Sequence, residues 1–250
     1  MNRQPRTFTD SPAVRSQVPL LIGLAGPSGG GKTFSALRLA TGIQRVTGGD
    51  IFGIDTEANR MLHYADKFRF RHVPFGAPFD PLSYLEVIQH CHGKGAKIVV
   101  VDSGSHEHEG PGGVLEMHAA EVERMSKGDW QRAERVKMLA WAKPKQDRRR
   151  LLNTLLQIPC HFIFCFRAKE KIKPVKGGEP LQLGFMPIAG EEFIFEMTTN
   201  ALLLPNAGGI PEWNPQEAGE RMMVKLPEQF REMLLNHKAP LDESLGERMA

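Results

Sequence analysis

The feature that most constrains this chain is Gly26-Pro27-Ser28-Gly29-Gly30-Gly31-Lys32-Thr33, which satisfies G-x-x-x-x-G-K-[ST]. It follows a wholly apolar run, Leu20 to Ala25, and opens an amphipathic segment, Lys32 to Val46, with Phe34, Leu37, Ile43 and Val46 at helical spacing. A buried strand running through a glycine-rich turn into a helix aims backbone N–H groups and the positive end of the helix dipole at one point, so the expected ligand is a phosphate. In that arrangement the residues from Gly26 through Thr33, with Phe34 behind them, bind a nucleotide. Lys32 reaches the β- and γ-phosphates and Thr33 supplies a hydroxyl to Mg²⁺.

A magnesium nucleotide also needs a carboxylate at the end of a neighbouring strand, and Lys97-Ile98-Val99-Val100-Val101-Asp102 delivers Asp102 to such a place. The residue after it is Ser103, so the group that orients the attacking water must come from elsewhere. Asp50-Ile51-Phe52-Gly53-Ile54-Asp55-Thr56-Glu57 offers it, because Glu57 emerges just past a second strand on the same edge. His106, His108, Glu109 and His118 are capable of ligating a metal. His-x-His in a loop lacks the spacing of a helical zinc motif, and these are read as loop residues beside the nucleotide edge.

The rest of the chain reads as strands alternating with helices, hence an α/β fold with a mostly parallel sheet. Strands are expected at Phe70 to Phe75, His161 to Phe166, Phe193 to Met197 and Ala201 to Leu204, and helices at Pro81 to Cys91, Gly113 to Met125, Asp147 to Gln157, Pro227 to Asn236 and Asp242 to Met249. In the Asp147 helix the apolar Leu151, Leu152, Leu155 and Leu156 are expected to pack inward, and Arg148-Arg149-Arg150 to lie in solvent. The Pro- and Gly-rich stretch from Lys173 to Gly190 reads as a mobile loop or hairpin. The expected organisation is an irregular arm over residues 1–18, an ATPase core over 19–205 and a small helical tail over 206–250.

The three cysteines, Cys91, Cys160 and Cys165, form no Cys-x-x-Cys and read as buried hydrophobes. With no apolar run near the ~20 residues of a membrane span, a cytoplasmic protein without membrane contact is expected. The formal charge of +3 hides an uneven distribution. From Arg124 to Lys176 there are 15 Lys/Arg against 4 Asp/Glu, a local net of +11 that leaves −8 on the remainder. Such asymmetry is the footprint either of a polyanion partner or of a solvated lysine-rich face.

The pairing of the glycine loop with Ile54-Asp55-Thr56-Glu57 and Val99-Val100-Val101-Asp102-Ser103 resembles the core of RecA-type recombinases. Asp102 to Gly113, Trp141-Ala142-Lys143-Pro144 and Pro159 to Lys169 narrow the likeness to bacteriophage-encoded RecA-like ATPases, usually called AAA-family ATPases. The resemblance runs from about Leu20 to Met197. It implies a three-layer P-loop NTPase fold of RecA-like type and Mg²⁺-dependent ATP hydrolysis with Glu57 as base. It also implies single-stranded DNA held by Gly104 to Lys145 and Ala168 to Gly184, a homo-oligomer, and partners among phage recombination or replication proteins. The family's polar sensor is replaced by Arg167, which would face the γ-phosphate. Lys169, Lys171, Lys173 and Lys176 would meet DNA; for Lys169 and Lys171 a neighbouring subunit's nucleotide and plain solvent are the other readings. A nucleotide-dependent assembly protein with little turnover and a small-molecule kinase are the alternative readings. No Asn-Lys-x-Asp for guanine readout occurs in the chain.

Overall fold

The computed structural model describes residues 7, 9–14, 18–175 and 177–250. Most of the expected N-terminal arm, and Lys176, lie outside them. The chain runs β1 (Leu21–Gly26), α1 (Lys32–Thr47), β2 (Asp50–Asp55), a 3₁₀ turn (Arg60–Tyr64), β3 (Arg71–Pro74), α2 (Pro81–Gly93), β4 (Ala96–Asp102), α3 (His106–Glu109), α4 (Val114–Ser126) and α5 (Trp130–Val136). A second 3₁₀ turn (Leu139–Trp141), α6 (Ala142–Leu155), β5 (His161–Lys173), β6 (Leu181–Pro187), α7 (Glu191–Glu196), β7 (Thr199–Leu202), α8 (Ala218–Met223), α9 (Glu228–Asn236) and α10 (Glu243–Met249) follow.

The sheet has the order β3-β2-β4-β5-β1-β7, every pair along it parallel, and β6 adds antiparallel to the outer half of β5. Alternation along each strand splits the core in two. Ile22, Leu24, Ile98 and Val100 face α1, α9 and α10, whereas Leu21, Ala25, Val99 and Val101 face α2, α6 and α7. The result is a three-layer α/β fold. All three cysteines are buried and free. Among the described residues no helix is long and apolar enough to cross a membrane.

Four local readings need correction. Phe193 to Met197 is not a strand: Glu191 and Glu192 start the short helix α7 at Gly190, and the place beside β1 is taken by β7. Charge at the first turn and the lack of a free sheet position outweigh the apolar run. The helix expected from Asp147 begins earlier, at Ala142, with Pro144 in its first turn where a missing N–H costs nothing. On it Leu151, Leu152 and Leu155 are buried, but Leu156 sits at the frayed end and is exposed. Arg148 is buried too, for reasons given below. Of the two readings of the stretch after Lys173, mobile loop or hairpin, the hairpin is the one formed, because β5 runs far beyond Phe166 and turns back as β6.

Of residues 206–250, α8 packs on β6 and β7, and α10 packs on α1, the helix that follows the glycine loop. Arg38 donates to Glu243 at 2.6 Å and Arg45 to Glu247 at 2.7 Å, and the crossing itself is backbone on backbone. A β-carbon at Gly42 would stand 1.9 Å from the carbonyl oxygen of Glu243. Gly42→Ala should therefore lower stability by about 1–3 kcal/mol through overpacking, even though alanine favours a helix interior by roughly 1 kcal/mol over glycine. Thermal unfolding checks this, and an unchanged or higher midpoint would mean that α10 docks loosely.

Candidate functional site

Parallel pairing sends the C-terminal ends of β1, β2, β4 and β5 to one edge. Gly26 lies opposite Arg167, Asp55 opposite Asp102, and Asp102 opposite Cys165. Above them opens a cleft of about 650 Å³ lined by Ser28, Gly29, Gly31, Lys32, Thr33, Asp55, Glu57, Asp102, Glu109 and Arg167, with Arg60 to Tyr64 along one wall.

The glycine loop forms the first wall. Gly31 has φ +91°, a left-handed conformation, and a β-carbon there would meet the backbone nitrogen of Gly209 at 2.8 Å. Gly209 donates to the Gly30 carbonyl at 3.2 Å and accepts from Leu241 N at 2.9 Å, so the loop is backed by the C-terminal segment. The first turn of α1 carries no acidic residue and no side-chain cap, which leaves its positive end open to an anion. Lys32 Nζ folds over the loop and donates to the carbonyls of Gly26 at 2.9 Å and Pro27 at 2.8 Å. Phe34 does not reach the cleft wall. It packs edge-on to Phe68 and tilted to Tyr64, and Tyr64 is the ring that lines the cleft.

Thr33 and Asp102, the expected magnesium ligands, are joined directly: Thr33 Oγ1 donates to Asp102 Oδ2 at 2.5 Å. A hydroxyl and a carboxylate are the hard oxygen donors that Mg²⁺ accepts while keeping waters and phosphate oxygens as its other ligands, so the pair fits the ion. Asp102 is 7 % exposed. Burial pushes its carboxyl up to about 6 against the Thr33 hydrogen bond; Glu57 adds to the rise and Lys32 opposes it.

Glu57 is positioned by its neighbours. Asp55 Oδ1 accepts from Glu57 N at 2.8 Å, while Oδ2 accepts from Met61 N at 2.8 Å and faces His72 Nε2 at 3.1 Å. Thr56 ties this turn to β4: its N–H donates to the Asp102 carbonyl at 2.8 Å and its Oγ1 accepts from Ser103 N at 2.8 Å. Glu57 Oε1 accepts from both Nε and Nη2 of Arg167, at 2.9 and 2.7 Å, and Oε2 lies 3.6 Å from Arg60 Nη1. Arg167 is itself fixed through its N–H on Ser105 Oγ at 2.8 Å.

His106 and His108 are engaged away from the cleft. His106 Nδ1 lies 2.7 Å from Thr56 Oγ1, and burial, then Arg167, lower its pKa. His108 Nδ1 accepts from Arg148 at 2.9 Å, and burial, then Arg148, hold it down at about 4. Glu107 is withdrawn from the cleft. Both its oxygens accept from Arg148 at 2.9 Å, and both side chains are buried, with Glu192 at 3.5 Å from the same guanidinium. Arg148 is therefore no solvated residue: a fully buried glutamate requires a partner of opposite charge. On β5, Lys169, Lys171 and Lys173 share one strand face with Arg167 and are exposed. Lys169 lies 3.8 Å from Glu109.

Sequence reasoning missed the wall from Arg60 to Tyr64 and the buttress at Gly209. The first has a readable signal, since an Asp that ends a strand commonly accepts from amides just ahead of it. The second depends on a contact between distant parts of the chain. No protein-family model and no curated protein matches the chain.

Asp102 supplies a prediction on stability. Its ordinary value is 3.8 and its folded value about 6, so the charged carboxylate costs the ligand-free fold stability above that range and nothing below it. Asp102→Asn keeps an acceptor for Thr33 and removes the charge. The variant should be more stable than the parent near pH 8 by something on the order of 2–3 kcal/mol, with the advantage shrinking as pH falls toward 4. Urea unfolding at the two ends of that range measures it, and a pH-independent difference would contradict it.

Proposed function

We propose that this chain is a Mg²⁺-dependent ATPase of RecA-like P-loop type that acts on single-stranded DNA, in a phage recombination or replication setting as its sequence resemblance implies. The observation that carries this reading is the convergence of Lys32, the Thr33–Asp102 pair and the Glu57–Arg167 pair on one cleft at one sheet edge. β5 lies between β1 and β4, so Arg167 stands between the glycine loop and Asp102. That location suits a group that meets the terminal phosphate.

In this reading the loop amides and Lys32 bind the phosphates, Lys32 exchanging the carbonyls of Gly26 and Pro27 for phosphate oxygens. Thr33 and Asp102 would hold Mg²⁺, whose charge offsets that of the β- and γ-phosphates. Tyr64 offers the cleft an aromatic face for the base. Glu57 accepts the proton of a water directed at the γ-phosphate. Its Oε1 is held by Arg167 in the ligand-free arrangement, and a γ-phosphate competes for the same guanidinium. Binding and release of the base are then one event. The same ion pair favours a second reading, nucleotide-dependent assembly with little turnover, if the phosphate does not draw Arg167 away.

The row Arg167, Lys169, Lys171, Lys173 runs along one face of β5 from the cleft to the hairpin tip. It offers a single strand a series of cations, which is the support for the DNA partner.

The test is ATP turnover by the full-length protein with and without single-stranded DNA. Lys32→Ala should weaken nucleotide binding and abolish turnover in a folded protein. Glu57→Gln should retain nucleotide binding and lose about 10²–10⁴ in kcat. A loss below threefold, on the order of experimental scatter, would remove Glu57 from the proton transfer. Intact binding with negligible turnover in the parent protein, DNA present or absent, would select the assembly reading.

A further inference from the structure

Two consecutive residues behind Glu57, Ala58 and Asn59, hold left-handed backbone at φ +55° and +65° without being glycine. That conformation crowds the β-carbon against the carbonyl that follows, so a pair of them persists only where the surroundings enforce it. The enforcing group is Asp55. Its Oδ1 accepts from Glu57 N and its Oδ2 from Met61 N, both at 2.8 Å, so one carboxylate brackets the strained pair. Met61 also anchors the far end by packing: it is buried, and its Sδ fills the place that a β-carbon at Gly53 would take.

Whatever fixes Asp55 therefore fixes the turn that carries Glu57 and begins the wall from Arg60 to Tyr64. The Asp55 side chain is 1 % exposed and stands opposite a second carboxylate, Asp102, in the strand register. A buried charge in such a place requires donors that hold it. Two of its donors are amides of the turn itself, which move with what they hold. His72 Nε2, 3.1 Å from Oδ2, is independent of the turn, because His72 sits on β3 opposite Gly53. Among the described residues it is the only ion-pair partner of Asp55. A carboxylate only accepts, so Nε2 carries the proton in this contact whether the ring is neutral or charged.

We propose that His72 is a positioning residue for ATP hydrolysis, holding through Asp55 the strained turn from which Glu57 projects. This rests on the ATPase reading above, and it gives the edge strand β3 a part in the chemical step rather than in nucleotide affinity. Lys32 and the loop amides belong to the opposite wall and keep their places without it.

The experiment measures single-turnover ATP hydrolysis and affinity for a non-hydrolysable ATP analogue in the full-length protein, in the parent and Glu57→Gln backgrounds. His72→Leu should lower the rate by about ten- to a hundredfold, the scale of an ångström-level misplacement, with analogue affinity kept within about threefold. His72→Gln, whose amide reaches the position of Nε2 and keeps a donor on Asp55, should restore most of the rate. In the Glu57→Gln background His72→Leu should cost almost nothing more, because the group being positioned is gone. A histidine that only stabilises the fold would instead give a lower unfolding midpoint and the same fractional loss in both backgrounds. That result overturns the proposal, as does an unchanged rate in His72→Leu or a failure of His72→Gln to restore it. Should His72→Leu not fold, His72→Asn, whose shorter side chain places its amide near Nδ1 rather than Nε2, takes its place against His72→Gln. A parent protein without turnover overturns the ATPase reading and the proposal with it, whereas turnover that depends on Glu57 and ignores His72 overturns the proposal alone.

Discussion

Parallel alignment of the strands is the constraint on which the rest of the cleft depends. A parallel strand must be reached by a crossover, so each of β1, β2, β4 and β5 ends on the same side and hands its next few residues to the same space. Thr33, Glu57, Asp102 and Arg167 are distant in sequence and meet for that reason alone. An antiparallel sheet of the same strands would send half of them to the opposite edge.

Bringing acids and bases to one edge carries an electrostatic cost, and the short polar residues around them offset it. Thr56 Oγ1, Ser103 N and the Asp102 carbonyl lace β2 to β4; Ser105 Oγ fixes the backbone of Arg167. Tyr84 donates to the Ser103 carbonyl at 2.7 Å from α2 below. Each bond satisfies a buried group that would otherwise cost about 1–3 kcal/mol, and among the described residues Glu57 and Arg167 have no other ion-pair partner than each other and Arg60. Pairing of the two is thus a consequence of how completely everything around them is satisfied.

The parts of this arrangement legible in the sequence were those encoded locally. The glycine loop, its flanking strand and helix, and β2 and β4 with their terminal acids all follow from short patterns, and their bounds agree with expectation within a residue or two. Asp102 and Glu57 were legible because strand ends in a parallel sheet share an edge. Arg148 was not: three consecutive arginines on a helix look solvated, and only the fold brings Glu107, from the segment after β4, beneath the first of them. The helix α7 failed for a related reason, since Phe193 to Met197 has strand-like composition but no free strand to pair with. The buttress of Gly209 on Gly30 leaves no local trace, because it joins residues 179 apart in a chain of 250.

The buried Arg148–Glu107 pair has a further consequence for how the site is held. Desolvating two charges is seldom repaid in stability when compared with apolar packing, so its worth lies in the geometry it imposes. One guanidinium reaches Glu107 and His108 on α3 and Glu192 on α7, and it presses so close to Gly190 that a β-carbon there would stand 1.9 Å from Nη1. The segments leaving β4 and β6 are thereby clamped to α6 by one side chain. Asp102 and Ser105 lie at the start of the first segment, and Ile188, on the cleft wall, at the start of the second. A movement of Arg167 that disturbs Ser105 is therefore resisted at Arg148, through Glu107 and His108 of α3. Under the reading proposed above, this clamp confines what a nucleotide can change to the Arg167 side chain and the exposed outer half of β5, where the row of lysines begins.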